Sequence, residues 1–163
     1  MAYSDGPRGI GGWLGLFLLT LGVFSPLRIF FTAYGLFSDP QVAAAYGDRW
    51  PLLATAEVIL IVLNLAAIAF LLWRFFMHRN WQSVRIGIAG IWLIPVGVTL
   101  LEIAAVSLIG GVPAGRLIAQ MGPDMAQALI YSIVWTAYLL RSVRVANTYP
   151  RELPGDALVE VFE

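Results

Sequence analysis

The sequence has no cysteine, no lysine and a single histidine, His78. The missing cysteines exclude disulfides, thiolate zinc sites and cysteine-bound iron–sulfur clusters. One histidine excludes a bis-histidine haem built by this chain alone. Charge is also scarce: 12% of the 163 residues are charged and 60% are hydrophobic, where soluble domains carry about 25% charged residues. That leaves too little polar surface to cover a water-facing exterior. Ten arginines balance ten acids, so nothing draws the chain to nucleic acid. No G-x-S-x-G or H-E-x-x-H motif occurs, and no ligand set for a metal. We therefore expect no catalysis and no cofactor.

What the chain does have is long apolar runs. Residues 50–76 read WPLLATAEVILIVLNLAAIAFLLWRFF, and between Leu52 and Trp73 the only charge is Glu57. Those residues make about 33 Å of helix, enough to cross a hydrocarbon core of about 30 Å. Trp50 and Trp73 mark its ends, where amphipathic rings favour the headgroup level. An earlier run begins at Gly11-Gly12-Trp13 and meets Ser25-Pro26, which predicts a first span over about 11–31 with a bend at Pro26. Arg8 ahead of Ile10–Phe24 has the look of a secretory signal. No small-x-small cleavage pattern follows, so we read an uncleaved first span. The aromatic stretch of Phe30, Phe31, Tyr34 and Phe37 either finishes that span or lies in the interface. Asp39 and Pro40 then start a short interfacial helix, which Gly47 ends.

A third span is expected over about 84–109, with Gly87, Gly90 and Gly97 read as packing positions and Pro95 near mid-membrane. Gly110–Pro113 breaks it, and the loop to Gly122 is short and weakly polar enough to be partly re-entrant. Pro123-Asp124 opens a fourth span over about 125–145, with Arg141 and Arg144 snorkelling to the interface. Residues 150–163 form an acidic tail, in which Ala157–Phe162 is able to dock as a strand or short helix. The expected fold is therefore an all-α integral membrane protein. It is a four-transmembrane-helix bundle over 1–149, with a short interfacial helix between spans one and two. Arg8, Arg74, Arg79, Arg85, Arg141, Arg144 and Arg151 fall on one side, against Arg49 and Arg116, with Arg28 nearby, on the other. By the positive-inside rule both termini and the tail are cytoplasmic.

Two end motifs carry a resemblance. Gly11-Gly12-Trp13-Leu14, followed by Ser25-Pro26-Leu27-Arg28, resembles the opening of a bacterial inner-membrane family known only as a domain of unknown function, with the YdgK-like proteins among its examples. The run from Trp135 to Tyr149, WTAYLLRSVRVANTY, resembles that family's ending, although Ala146 stands where a basic residue is common. Pro51 and Glu57 are similar to its second span. The resemblance implies a four-span inner-membrane protein and implies no activity.

Charges inside a membrane cost about 2.5–3.5 kcal/mol each at a helix centre, so they require a reason. Arg28, Glu57 and Glu102 all fall in the outer third of the predicted bilayer. Arg28 is expected to pair with Glu57, Glu102 or both. Asn64 lies two turns from Glu57 on the same face, and Tyr131 and Ser132 reach a comparable depth. Such a group either fixes helix packing as a buried ion pair, lines a functional polar pocket, or simply reaches water at the interface. On the cytoplasmic side Arg74, Arg79, Arg85, Arg141 and Arg144 form a basic collar. It is a topology signal, with binding of anionic lipid or an acidic partner as the alternative. The bilayer aside, the expected partner is another membrane protein or a second copy. The chain reads as an accessory or scaffold subunit of a bacterial inner-membrane complex. The alternative is a small transporter, channel or lipid-handling protein built on the Arg/Glu group.

Overall fold

The computed structural model describes residues 6–151, which are helical nearly throughout and include no strand. Helix α1 (Gly12–Leu19) runs through a widened π-type turn, Thr20–Phe24, into α2 (Ser25–Ser38). Pro26 explains the turn. It has no N–H for the carbonyl four residues back, and its ring crowds that position. Just ahead of it the Ser25 N–H reaches five residues back to the Thr20 carbonyl, and Ser25 Oγ donates to the same carbonyl at 3.0 Å. Where the sequence predicts a bend at Pro26, the chain thus inserts a wider turn. It then stays helical past residue 31 to Ser38, so the aromatic stretch belongs to this first rod.

Asp39 caps α3 (Pro40–Tyr46) as expected, its Oδ1 accepting from the Gln41 N–H at 2.8 Å. Gly47 ends α3 at φ 52°, a conformation that side chains disfavour. One 3₁₀ turn, Gly47–Arg49, leads straight into α4 (Trp50–Met77). Asn80 then caps α5 (Trp81–Leu108), its Oδ1 accepting from the Ser83 N–H at 3.1 Å.

The last third departs most from expectation. Helix α6 (Ala114–Arg141) begins well before Pro123, and residues 114–122 are helix rather than a re-entrant loop. The Arg116 and Leu117 N–H groups already bond the Pro113 carbonyl, at 3.0 and 3.4 Å. Pro123 therefore sits inside the helix, a position that neighbouring helices make tolerable in a bundle. The helix also stops at Arg141 instead of continuing to about 145. Ser142 turns extended and caps a separate α7 (Val143–Thr148). Of the predicted acidic tail, Pro150 and Arg151 are described, and Ala157–Phe162 lies outside the described residues.

Among the described residues three helical stretches are long and apolar enough to cross a membrane: Gly12–Ser38, Pro40–Met77 and Trp81–Leu108. The sequence predicts four spans. Helix α6 is as long as α5 but less apolar, because Gln120, Asp124, Gln127, Tyr131 and Ser132 interrupt it.

The packed core sits at the end where the described termini meet. Phe17 contacts Phe75 edge-on at 5.5 Å and Trp135 at 5.1 Å, and Tyr149 stands edge-on to Phe75 at 5.6 Å. Leu14, Leu71, Val84, Leu139 and Val145 fill the space between them. Gly87 and Gly90 admit the α4 side chains: a Cβ at Gly87 would collide with the Phe75 ring, and one at Gly90 would lie 2.5 Å from Leu71 Cδ1. Gly97 packs nothing, since a Cβ there meets no atom within 4 Å. Two hydrogen bonds tie α5 to α6, from Ser132 Oγ to the Ile91 carbonyl at 2.6 Å and from Trp92 Nε1 to Thr136 Oγ1 at 3.0 Å. Toward the other end packing thins, and α2 and α3 bury no residue at all.

Candidate functional site

Where packing thins, the helices separate around a cavity of about 570 Å³. Its polar lining comes from every long element. The first rod supplies Thr20, Ser25 and Arg28. Helix α4 supplies Glu57 and Asn64, α5 supplies Thr99 and Glu102, and α6 supplies Asp124, Gln127 and Tyr131. The periodicity of α4 explains its share. Glu57, Leu60, Ile61, Asn64 and Ile68 recur at helical spacing, and all five face the same space.

Arg28, Glu57, Asn64 and Glu102, singled out in the sequence, therefore line one cavity. Their pairing differs from expectation. Arg28 bonds neither glutamate; its Nη2 donates to Asp124 Oδ1 at 3.0 Å, with both side chains well exposed. The guanidinium takes the carboxylate that α6 presents at the rim and leaves the deeper glutamates alone. Glu57 is only 8% exposed and makes no hydrogen bond or ion pair with any described residue. Asn64 Oδ1 is likewise buried without a hydrogen-bond partner. Glu102 stands near enough to both Glu57 and Asp124 for their like charges to repel. Tyr131 lines the cavity and its hydroxyl pairs with Thr20 Oγ1 at 3.0 Å. Ser132, expected at the same depth, is instead spent on the Ile91 carbonyl.

Thr20, Ser25, Thr99, Asp124 and Gln127 are the polar members that sequence reasoning missed. The sequence places Asp124 at a helix start, and its position opposite Arg28 depends on α6 beginning ten residues earlier. The spacing of Asp124, Gln127, Tyr131, Ser132 and Trp135, every three or four residues, carried the signal of one continuous face.

The collar arginines do not form one cluster. Arg79, Arg85 and Arg141 are exposed. Arg144 lies against Gly11 and Gly12, within 3.0 Å of where a Gly11 Cβ would stand. Arg74 is half-buried, its Nε and Nη2 without a hydrogen-bond partner among the described residues. His78 ends α4, accepts a bond from Ser83 Oγ on its carbonyl and stands edge-on to Trp73. Burial pushes the Tyr149 hydroxyl up to about 12, partly offset by the charge of Arg79.

The two motifs at the ends of the sequence meet in this packed end. Gly9 N–H donates to Thr148 Oγ1 at 3.0 Å, Arg144 covers Gly11 and Gly12, and Trp135 packs on Phe17. Residues 7–150 match a family model described as protein of unknown function (DUF2569). The chain belongs to this family. Comparison with curated proteins and with solved structures found no match. The DUF2569 match spans both the packed end and the cavity, so the two belong to one family domain.

Proposed function

We propose that this DUF2569 protein is a multi-pass protein of the bacterial inner membrane that binds a small ligand in the cavity between its helices, as a small transporter or lipid-handling protein does. In this reading α6 crosses as a fourth span, as in the YdgK-like proteins the sequence resembles, and both termini are cytoplasmic. The supporting observation is Glu57, a residue only 8% exposed and without a partner among the described residues, at the wall of a cavity of about 570 Å³. Ligand pockets of about 300–1,000 Å³ with a few polar groups in an apolar wall are the usual form of small-molecule sites. A side chain that costs stability and supports no contact is the mark of a site kept for binding.

Glu57→Leu tests this directly. If the carboxylate serves a ligand, the leucine variant melts higher in detergent, by about 1–2 kcal/mol of stability, because an uncompensated polar group is gone. A cysteine at Thr99 or Ala128, both on the cavity wall, also reacts with a small methanethiosulfonate in membranes. A destabilised Glu57→Leu variant together with unreactive Thr99→Cys and Ala128→Cys variants defeats the reading.

A second reading, the accessory or scaffold subunit, draws on α2. That helix buries none of its residues and exposes Leu27, Phe30, Phe31 and Tyr34, which suits packing on another membrane protein or a second copy. Native mass spectrometry from mild detergent separates the two: a stable stoichiometric partner favours the subunit, and a lone monomer favours the ligand protein. In either reading the exposed Arg79, Arg85 and Arg141 face anionic lipid headgroups.

A further inference from the structure

We infer that the ligand of this cavity is an organic cation, a protonated amine carried on an apolar body. The inference rests on the cavity being a ligand site and adds the chemical class. Three carboxylates line the cavity, those of Glu57, Glu102 and Asp124, against one guanidinium, that of Arg28. Arg28 is committed to Asp124 at 3.0 Å. Glu57 and Glu102 are therefore left with no countercharge among the described residues. They repel each other, and Glu57 is buried on α4 with no partner among the described residues. Charge in such a wall is satisfied by a cation that brings its own apolar cover.

The neighbouring atoms refine the class. Asn64, two turns along the same face from Glu57 and also in the cavity wall, holds an amide oxygen to which no described residue donates, and an ammonium N–H is a donor of the kind it lacks. Leu60, Ile61, Ile94 and Val98 give the same wall an apolar part. Among the described residues no three His, Cys, Asp or Glu side chains stand close enough together to hold a metal ion. The two glutamates, on different helices of one partly apolar cavity, suit a cation spread over a larger body. An anionic headgroup would face both glutamates with only an already paired arginine to attract it.

The test uses the full chain in detergent and three probes of one shape: 1-adamantylammonium, 1-adamantanol and 1-adamantanecarboxylate. Binding is read by calorimetry and by protection of Thr99→Cys from a thiol reagent. The ammonium is expected to bind saturably and to protect Thr99→Cys, with the alcohol and the carboxylate at least about tenfold weaker. Glu57→Gln and Glu102→Gln are each expected to weaken the ammonium by about tenfold or more. If a glutamine variant aggregates, the comparison of the three probes on the unaltered protein still decides. Equal or tighter binding of the alcohol or the carboxylate overturns the cation class while leaving the ligand cavity standing. No binding by any probe, with Thr99→Cys unreactive throughout, overturns both.

Discussion

The hydroxyl of Tyr149 donates to the backbone carbonyl of Phe75 at 2.8 Å, joining the last described turn of the chain to the end of α4. Both rings are fully buried and stand edge-on to each other. The carbonyl lies in the last turn of α4, where intrahelical donors run out, so the tyrosine completes the helix end from outside. Tyr149→Phe keeps the ring and leaves a buried carbonyl unpaired. It should destabilise the purified protein by about 1–3 kcal/mol, read as a lower melting temperature in detergent. A variant that melts with the native protein would show that water replaces the hydroxyl there.

The same hydroxyl predicts a loss of stability in alkali. Burial raises its pKa to about 12, and Arg79 pulls it back only in part. In the unfolded chain tyrosine titrates near 10 (about 10 in model peptides). Because the folded value is the higher, the unfolded state loses its proton first as pH rises. The contribution of Tyr149 is thus whole below about pH 10 and fades between about 10 and 12. Melting temperature against pH should fall more steeply in this window for the native protein than for Tyr149→Phe.

Glycine substitutions on α5 should separate by position. Gly87→Ala places a methyl against the buried Phe75 ring, and overpacking of this kind costs about 1–3 kcal/mol. Gly97→Ala meets open space and should leave the melting temperature within experimental scatter. Equal effects at both sites would mean that α4 and α5 do not meet closely at Gly87 and Phe75.

The crossing of α6 can be read with single cysteines, since the native chain has none. Under the four-span proposal, an impermeant maleimide on intact cells labels Asp48→Cys and Gly111→Cys and spares Arg79→Cys and Ser142→Cys. Labelling of Ser142→Cys together with Gly111→Cys would mean that α6 turns back without crossing, leaving three spans.

Much of this was legible along the chain. The apolar runs demand helices in a medium without water, because backbone groups there must bond within their own segment. Asp39-Pro40 and Gly47 bound α3 because capping is a local event, decided by residues in direct sequence contact. Glu57 and Asn64 share a face because helical periodicity alone places them so. What neighbouring residues could not decide is who meets whom. The sequence offers Arg28 two carboxylates, Glu57 and Glu102, and only the early start of α6 brings Asp124 to it and leaves Glu57 alone. The meeting of Gly11 and Gly12 with Arg144, and of Phe17 with Trp135, joins positions more than a hundred residues apart. Such contacts come from the packing of rods against one another, a property that no single rod's pattern contains. Local chemistry therefore determined the helices and the charges they carry, while tertiary packing decided that one end closes into a core and the other opens around an unpaired carboxylate.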